Sequence, residues 1–270
     1  MAAVLSSCSG VVKKLSALTG SDRLTTDSLV FNKEAEHANV NYYVDFPVDG
    51  NELLVNAIQE YINEQLGGTY DGDEAEGHQM VTYYGETEWN NLKGEYKEMA
   101  AESDGDWMND VTFSAEISIR KVYESETVVT YITEGSTYEG GAHDMPYQMG
   151  VSFRKSDGRR FGYDMMRELY SEGFYRLTKE GLGRYFSEGT DGVTTDAELK
   201  EWLMTDDELD ALSHPKADPY LVEEGVVFTY QPYEIAPYAA GLPKYTVSYA
   251  DIRPYLTVNA QKLIAQQEKQ

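Results

Sequence analysis

His143 is the histidine whose neighbours could support chemistry. It follows Gly140 and Gly141, where the missing Cβ atoms would let the backbone approach a ligand closely. Tyr138 and Asp144 lie near enough in sequence to orient its ring. A general base needs a nucleophile beside it and a metal ion needs further ligands, and the sequence offers neither near residue 143. Two interpretations stay open, a turn residue that satisfies backbone groups and a ligand-binding residue.

A second group of candidate residues lies in a tyrosine- and proline-rich corner near the C-terminus. Residues 226–230 indicate a strand that stops at Pro232, which cannot donate to a sheet. Gly241 permits the reversal that follows, and residues 245–249 indicate the returning strand. Tyrosine combines a large apolar face with a polar tip, which suits both sheet surfaces and binding surfaces. The corner supplies four candidate ligand contacts: Tyr230, Tyr233, Glu234 and Tyr238.

No catalytic residue, cofactor site or metal site is predicted. The acidic residues could include a carboxylate pair of the kind that glycoside hydrolases use, but the sequence does not indicate which two converge. Gly181 and Gly183 are not followed by a third glycine, because residue 186 is Phe, so the dinucleotide-binding fingerprint is incomplete. A phosphate-binding loop is also missing from the sequence.

The charge balance restricts the partners. With 47 acidic and 22 basic residues the formal net charge is −25. Such a field repels nucleic acid phosphates and anionic membrane surfaces, so neither is an expected partner. It attracts a basic protein and accelerates the encounter in a salt-dependent way. The alternative is that the charge only keeps the protein soluble.

The sequence has one cysteine, Cys8, so an internal disulfide is excluded. Cys8 is also the last residue of a short motif. Residues 5–8, Leu-Ser-Ser-Cys, match a bacterial lipobox, in which the cysteine receives lipid. The residues before them are too few for the apolar region of about 7–15 residues that a signal peptide carries. We interpret the motif as a truncated lipoprotein signal with lipid attachment at Cys8. This predicts a periplasmic or outer-membrane-anchored lipoprotein of the cell envelope that touches the membrane only through its lipid. The alternative is a free cysteine in a leader.

Hydrophobic periodicity predicts an α+β fold with antiparallel sheets, each covered by helices. Apolar residues at helical spacing predict helices over 51–66, 87–101 and 170–186. Threonines followed three residues later by glutamate predict further helix starts at Thr195 and Thr205. Strands are predicted over 29–31, 40–46, 111–119 and 128–133, and Asp157-Gly158 predicts a hairpin between 147–153 and 160–163.

Two motifs resemble those of the RsiV-like domain family. Residues 228–241 have the order Phe-x-Tyr-Gln-Pro-Tyr-Glu-Ile-Ala-Pro-Tyr-Ala-Ala-Gly, and residues 138–143 read Tyr-Glu-Gly-Gly-Ala-His. The chain departs from the family pattern at Asp144, where Pro or Gly is usual, and at Met165-Met166, where the family has Leu-Phe. The family includes the extracytoplasmic part of the anti-sigma factor RsiV and the non-catalytic N-terminal region of the deacetylase PdaC. The resemblance covers roughly residues 25–260.

The resemblance implies a division of the chain and a class of ligand. A leader and tether over 1–26 would precede a PdaC-like domain over 27–147, an RsiV-like domain over 148–262 and a tail over 263–270. The resemblance to RsiV implies lysozyme, a basic enzyme, as a partner. The acidic segments at 71–76 and 102–106 are possible contributors to its binding. The deacetylase and anti-sigma activities are not implied, because the segments that carry them are missing here. We therefore expect a non-catalytic protein that binds lysozyme or another basic wall-directed protein. A peptidoglycan- or glycan-binding module and a hydrolase with an unrecognised carboxylate pair are the alternatives.

Overall fold

The computed structural model describes residues 23–35, 37–103, 106–188 and 195–265. Cys8 and most of the predicted leader lie outside the described residues, as do residues 104–105 and the end of the predicted tail.

The first half of the chain builds a five-stranded sheet in the order β1-β2-β3-β4-β5. Its strands are β1 (Thr25–Ala35), β2 (Ala38–Asp49), β3 (Phe113–Glu124), β4 (Val128–Tyr138) and β5 (Met145–Arg154). All neighbours are antiparallel except β2 and β3, which are parallel. The sequence predicts a strand over 40–46, but β2 continues through Pro47 to Asp49. It can do so because β3 pairs with β2 only as far as Val44, so no third strand needs the missing donor of Pro47.

Two helices connect β2 to β3 and cover one face of this sheet. Helix α1 (Glu52–Leu66) begins after Asn51, whose side chain accepts hydrogen bonds from the backbone of Leu53 and Leu54, and ends at Gly67. This helix is confirmed. Helix α2 (Gly77–Glu102) begins ten residues before its predicted start. Its first turns carry buried side chains that pack on the sheet, namely Met80, Val81 and Tyr84.

The second half builds a smaller sheet in the order β6-β7-β8. The strands are β6 (Tyr220–Leu221), β7 (Gly225–Thr229) and β8 (Lys244–Ser248), all antiparallel. The helices are α3 (Glu172–Glu188), α4 (Asp196–Trp202), α5 (Tyr249–Ile252) and α6 (Val258–Ile264). Phe228 lies at the centre of the core, stacked on Tyr245 at 5.0 Å between ring centroids and edge-on to Phe174 at 5.7 Å. The α+β class with two sheets is confirmed.

Two local predictions in this half differ from the structure. The hairpin at Asp157-Gly158 makes its turn, but the second strand is reduced to one bridge between Phe153 and Arg160. Thr205 starts no helix. The backbone N–H of Asp207 donates to the Thr205 hydroxyl, and the Asp207 carboxylate accepts from the backbone N–H and the hydroxyl of Ser213, which closes an irregular loop. The capping box at Thr195 is confirmed.

The two sheets meet where β6 lies against β4 and β5, on the face of the first sheet opposite α1 and α2. Thr130 donates to the carbonyl of Leu221 at 2.7 Å, and the backbone N–H of Leu221 donates to Ser152 at 2.7 Å. The ring of Tyr220 lies directly over Gly150, where a Cβ atom would stand 2.2 Å from it. The predicted boundary between residues 147 and 148 falls within β5, and the division into domains stays a prediction.

Within the described ranges, none of the helices has the length and apolar character needed to span a bilayer.

Candidate functional site

The two motifs singled out in the sequence meet in space. His143, in the loop between β4 and β5, stacks on Tyr238, which begins a short 3₁₀ helix between β7 and β8; the ring centroids are 3.7 Å apart and the planes 19° apart. The hydroxyl of Tyr233 lies 3.4 Å from His143 Nε2. His143 Nδ1 lies 2.7 Å from the carbonyl oxygen of Asp144, and because a carbonyl oxygen only accepts, Nδ1 is the donor of this hydrogen bond. We call His143, Asp144, Tyr233 and Tyr238 the junction cluster.

Asp144 holds the junction cluster to the first sheet. Its carboxylate accepts hydrogen bonds from Ser136 on β4 at 2.6 Å and from Tyr238 at 2.8 Å. These two bonds favour the ionised carboxylate and lower the pKa of Asp144 below its ordinary value. One carboxylate therefore joins β4 to the tyrosine-rich corner of the second half.

Tyr233 is presented by a strained turn. Its φ of 64° lies in the left-handed region, which is uncommon for a side chain of this size. Glu234 closes the turn, since its carboxylate accepts from the backbone N–H of Gln231 at 2.8 Å and of Lys216 at 2.6 Å. Tyr233 is 49 % exposed. Glu234 thus supports the site through backbone contacts, and Tyr233 faces solvent.

The remaining candidate residues do not join the cluster. Tyr230 is buried in the second core and donates to the carbonyl of Ser213 at 2.7 Å. Tyr138 is half-buried at the end of β4. Gly140 has a φ of 80°, and a Cβ atom there would stand 3.0 Å from Phe113, so glycine is needed for the turn that delivers His143. Gly141 is exposed.

A groove that the sequence did not single out adjoins the junction cluster. It has a volume of about 470 Å³ and lies on the face of the five-stranded sheet opposite α1 and α2. Its lining residues come from four neighbouring strands: Val30, Asn41, Tyr42, Tyr43, Glu116, Ile117, Ser118, Glu134, Gly135 and Ser136. Ser136 also binds Asp144, so groove and cluster are continuous. We call this feature the sheet groove.

The sheet groove is acidic and partly apolar. Glu116 and Glu134 stand on the adjacent strands β3 and β4, and register places them at diagonal positions. Glu134 accepts a hydrogen bond from the side chain of Gln148 on β5. Val30, at one side of the groove, is 64 % exposed. Tyr43 lies beneath the guanidinium of Arg120, whose carbon is 3.9 Å from the ring centroid. A cationic group with an apolar stem matches this lining.

The sequence contained part of the information that locates the sheet groove. Alternation in 111–119 predicted that one side of β3 faces away from the core, and that side carries Glu116 and Ser118. The parallel pairing of β2 with β3, which brings Asn41 opposite Glu116, could not be read from alternation. The described residues contain no group of three or more His, Cys, Asp or Glu side chains arranged to hold a metal ion.

A protein-family model matches part of the chain. Residues 174–250 match the family described as "Protein of unknown function (DUF3298)". The matched segment runs from α3 into α5 and includes the tyrosine-rich corner.

Two solved structures of DUF3298 family members have a similar fold. One, from Bacteroides fragilis, has a TM-score of 0.75 at 21 % identity, over 93 % of this chain and 100 % of that one. The other, from Pseudomonas aeruginosa, has a TM-score of 0.56 at 16 % identity, over 89 % of this chain and 98 % of that one. No curated protein matches the sequence. At these identities the likeness concerns the fold.

Proposed function

We propose that this protein is a non-catalytic binding protein of the cell envelope that holds a basic protein, with lysozyme as the partner implied by the resemblance to the RsiV-like domains. The observation that supports it most is the sheet groove, where two glutamates and exposed apolar surface lie on the part of the sheet face that β6 leaves uncovered. An arginine or lysine of the partner would place its charged head between Glu116 and Glu134 and its stem on Val30.

The charge of the whole chain supports the same partner class. A net charge of −25 accelerates the approach of a basic protein, and the acidic groove adds local complementarity. Of the acidic segments expected to contribute, residues 71–73 are exposed. The envelope location rests on the lipobox-like residues 5–8 and on the resemblance.

Binding fits the sheet groove better than catalysis does. Glu116 and Glu134 are both exposed, and the groove is shallow and open to water. Diagonal positions on neighbouring strands are about 7–8 Å apart, a separation that glycoside hydrolases also use. Those enzymes need one carboxyl held protonated by burial or by a neighbouring charge, and an open groove does not provide such burial.

The test measures lysozyme binding by isothermal titration calorimetry at low and moderate salt. We expect binding that weakens as salt rises, and a clear loss in a Glu116→Gln/Glu134→Gln variant. A Glu60→Gln/Glu201→Gln variant changes net charge equally at two exposed positions outside the groove and should retain most of the affinity. Absence of a complex at both salt concentrations, or an equal loss of affinity in the two variants, would remove the proposal. Hydrolysis of cell-wall glycan that depends on Glu116 and Glu134 would replace it with the enzymatic alternative.

Glycan binding is the second candidate, and the junction cluster favours it. The exposed ring of Tyr233 and the stacked pair of His143 and Tyr238 present aromatic surface beside the groove. Pull-down with purified wall sacculi tests it. Retention that is insensitive to salt and is lost in Tyr233→Ala would favour the glycan; retention that disappears with salt would not.

A further inference from the structure

A second cavity, which we call the cation pocket, lies between helix α3 and the edge strand β8. Its volume is about 450 Å³. Arg184 and Tyr185 line it from α3, Lys244 and Thr246 from β8, and Tyr220 from β6. The volume is in the range of small-molecule sites, about 300–1,000 Å³. It shares no lining residue with the sheet groove, although the side chain of Gln148 contacts both Lys244 of the pocket and Glu134 of the groove.

The charge of the cation pocket is opposite to that of the protein. The chain carries 47 acidic residues, yet every charged residue that lines the pocket is a cation. None of the ion pairs between residues that the structure describes includes Arg184 or Lys244. The ammonium of Lys244 donates a long hydrogen bond of 3.4 Å to the side-chain oxygen of Gln148. Two unpaired cations at one cavity leave an anion as the complementary charge.

The rest of the lining favours a ring over a small inorganic ion. The Tyr185 hydroxyl donates to the carbonyl of Ala240 at 2.6 Å, so it is already engaged and its ring supplies apolar wall. The Tyr245 hydroxyl is likewise engaged with Thr178 at 3.0 Å. Thr246 is exposed at the edge of β8 and can exchange hydrogen bonds with a ligand hydroxyl. Aromatic walls with a few polar groups are typical of sites for small organic ligands.

We propose that the cation pocket binds a carboxylated sugar, with Arg184 and Lys244 holding the carboxylate. The planar guanidinium of Arg184 suits two parallel hydrogen bonds to a carboxylate, and the ammonium of Lys244 adds a second positive charge. The sugar ring lies along Tyr185 and its hydroxyls meet Thr246. This site does not depend on the binding of a basic protein at the sheet groove.

The test titrates the full chain with glucuronate and with glucose, which share a ring and differ in charge. Isothermal titration calorimetry and amide chemical shifts should give saturable binding of glucuronate, with shifts centred on residues 184 and 244–246. Glucose should bind at least about tenfold more weakly, equal to about 1.4 kcal/mol. Sodium sulfate serves as the inorganic anion. Sulfate binding as tight as that of glucuronate would overturn the assignment to a sugar, and no glucuronate binding would overturn the site.

Matched variants distinguish binding at the cation pocket from a general effect of net charge. Arg184→Gln/Lys244→Gln removes both cations, and Lys216→Gln/Lys262→Gln removes two exposed cations outside the pocket. The first should weaken glucuronate binding at least about tenfold, or about 1.4 kcal/mol, while the second should not. Equal weakening in both variants would contradict the proposal. All four side chains are exposed, and unchanged thermal unfolding of each variant verifies that the fold is intact.

Discussion

The two sheets differ in how completely they are covered. From Ala38 to Asp45, strand β2 of the first sheet alternates between buried and half-buried residues. Strand β7 of the second sheet is buried at all five positions. Helices α1 and α2 cover one face of the first sheet and leave the sheet groove on the other, whereas the second sheet encloses its central strand.

This difference leaves an open sheet face in the first half and an enclosed strand in the second. An open sheet face can accept a ligand without the removal of any element, and the part of the first sheet that β6 leaves uncovered is such a face. An enclosed strand contributes packing, and the second sheet also supplies the corner that carries Tyr233 and Tyr238. The comparison can be tested by substitutions that should affect the halves unequally.

The largest expected effect is that of Phe228→Ala. The side chain is fully buried and packs against Phe174 and Tyr245, so its removal should lower the free energy of unfolding by about 3–5 kcal/mol. Val30→Ala, on the open face of the first sheet, should change it by less than about 0.5 kcal/mol. Urea unfolding of both variants measures the difference. A similar cost for the two would mean that the open face is covered in solution.

Gly150→Ala should disrupt the contact between the sheets. The new methyl group would collide with the ring of Tyr220, and overpacking of this kind costs about 1–3 kcal/mol. Gly183→Ala is the matched control, because its Cβ atom meets no neighbour within 4 Å and alanine favours the helix by up to about 1 kcal/mol. Thermal unfolding should move in opposite directions for the two variants. A neutral Gly150→Ala would show that Tyr220 moves away from β5 at little cost.

Tyr238→Phe should raise the pKa of Asp144 toward its ordinary value. The substitution removes one of the two hydrogen bonds that favour the ionised carboxylate and leaves the bond from Ser136. NMR titration of the Asp144 carboxyl carbon measures the change. Tyr233→Phe, which removes a hydroxyl that does not contact Asp144, should leave that pKa much closer to its starting value. An unchanged pKa in Tyr238→Phe would mean that the junction cluster does not hold the halves together through Asp144.

The smallest effect should be a pH dependence carried by His214 in the second half. Burial lowers the pKa of His214; Nε2 lies 2.8 Å from the carbonyl of Leu169, and Nδ1 is buried with no hydrogen-bond partner among the described residues. In the unfolded chain the imidazole of His214 takes up a proton near pH 6.5, whereas in the folded chain burial opposes its protonation. The free energy of unfolding should therefore fall as pH drops below about 6.5. His214→Gln should reduce that slope in urea unfolding between pH 7 and pH 5. An identical slope would show that His214 titrates normally in the folded protein.

Prediction from sequence worked where local chemistry decides the structure. Asn51 and Gly67 delimit α1 because a side-chain cap and a positive φ act within one turn. The start of α2 was missed because Glu76, which precedes it, makes no side-chain capping bond, so the first turns depend on packing against the sheet. Strand β6 has two residues, too few for any pattern.

The candidate site was predicted in parts. The turn with His143 and the corner with Tyr233 and Tyr238 were identified separately, and nothing in their spacing indicated that they touch. Tyr230, also a tyrosine of this corner, directly follows the fully buried strand β7 and lies in the second core, where its hydroxyl donates to the carbonyl of Ser213. Glu116 and Glu134 could not be distinguished from the other acidic residues before the strand register was known.

The parallel pairing of β2 with β3 constrains the order of folding. Ala38 pairs with Phe113, so this contact must close a long loop that contains both intervening helices. Closing so long a loop is slow compared with forming the β1–β2 or β3–β4 hairpins. We therefore expect a nascent chain that ends before Phe113 to expose the apolar sides of α1 and β2, and the first sheet to become protease-resistant only once β3 has been synthesised.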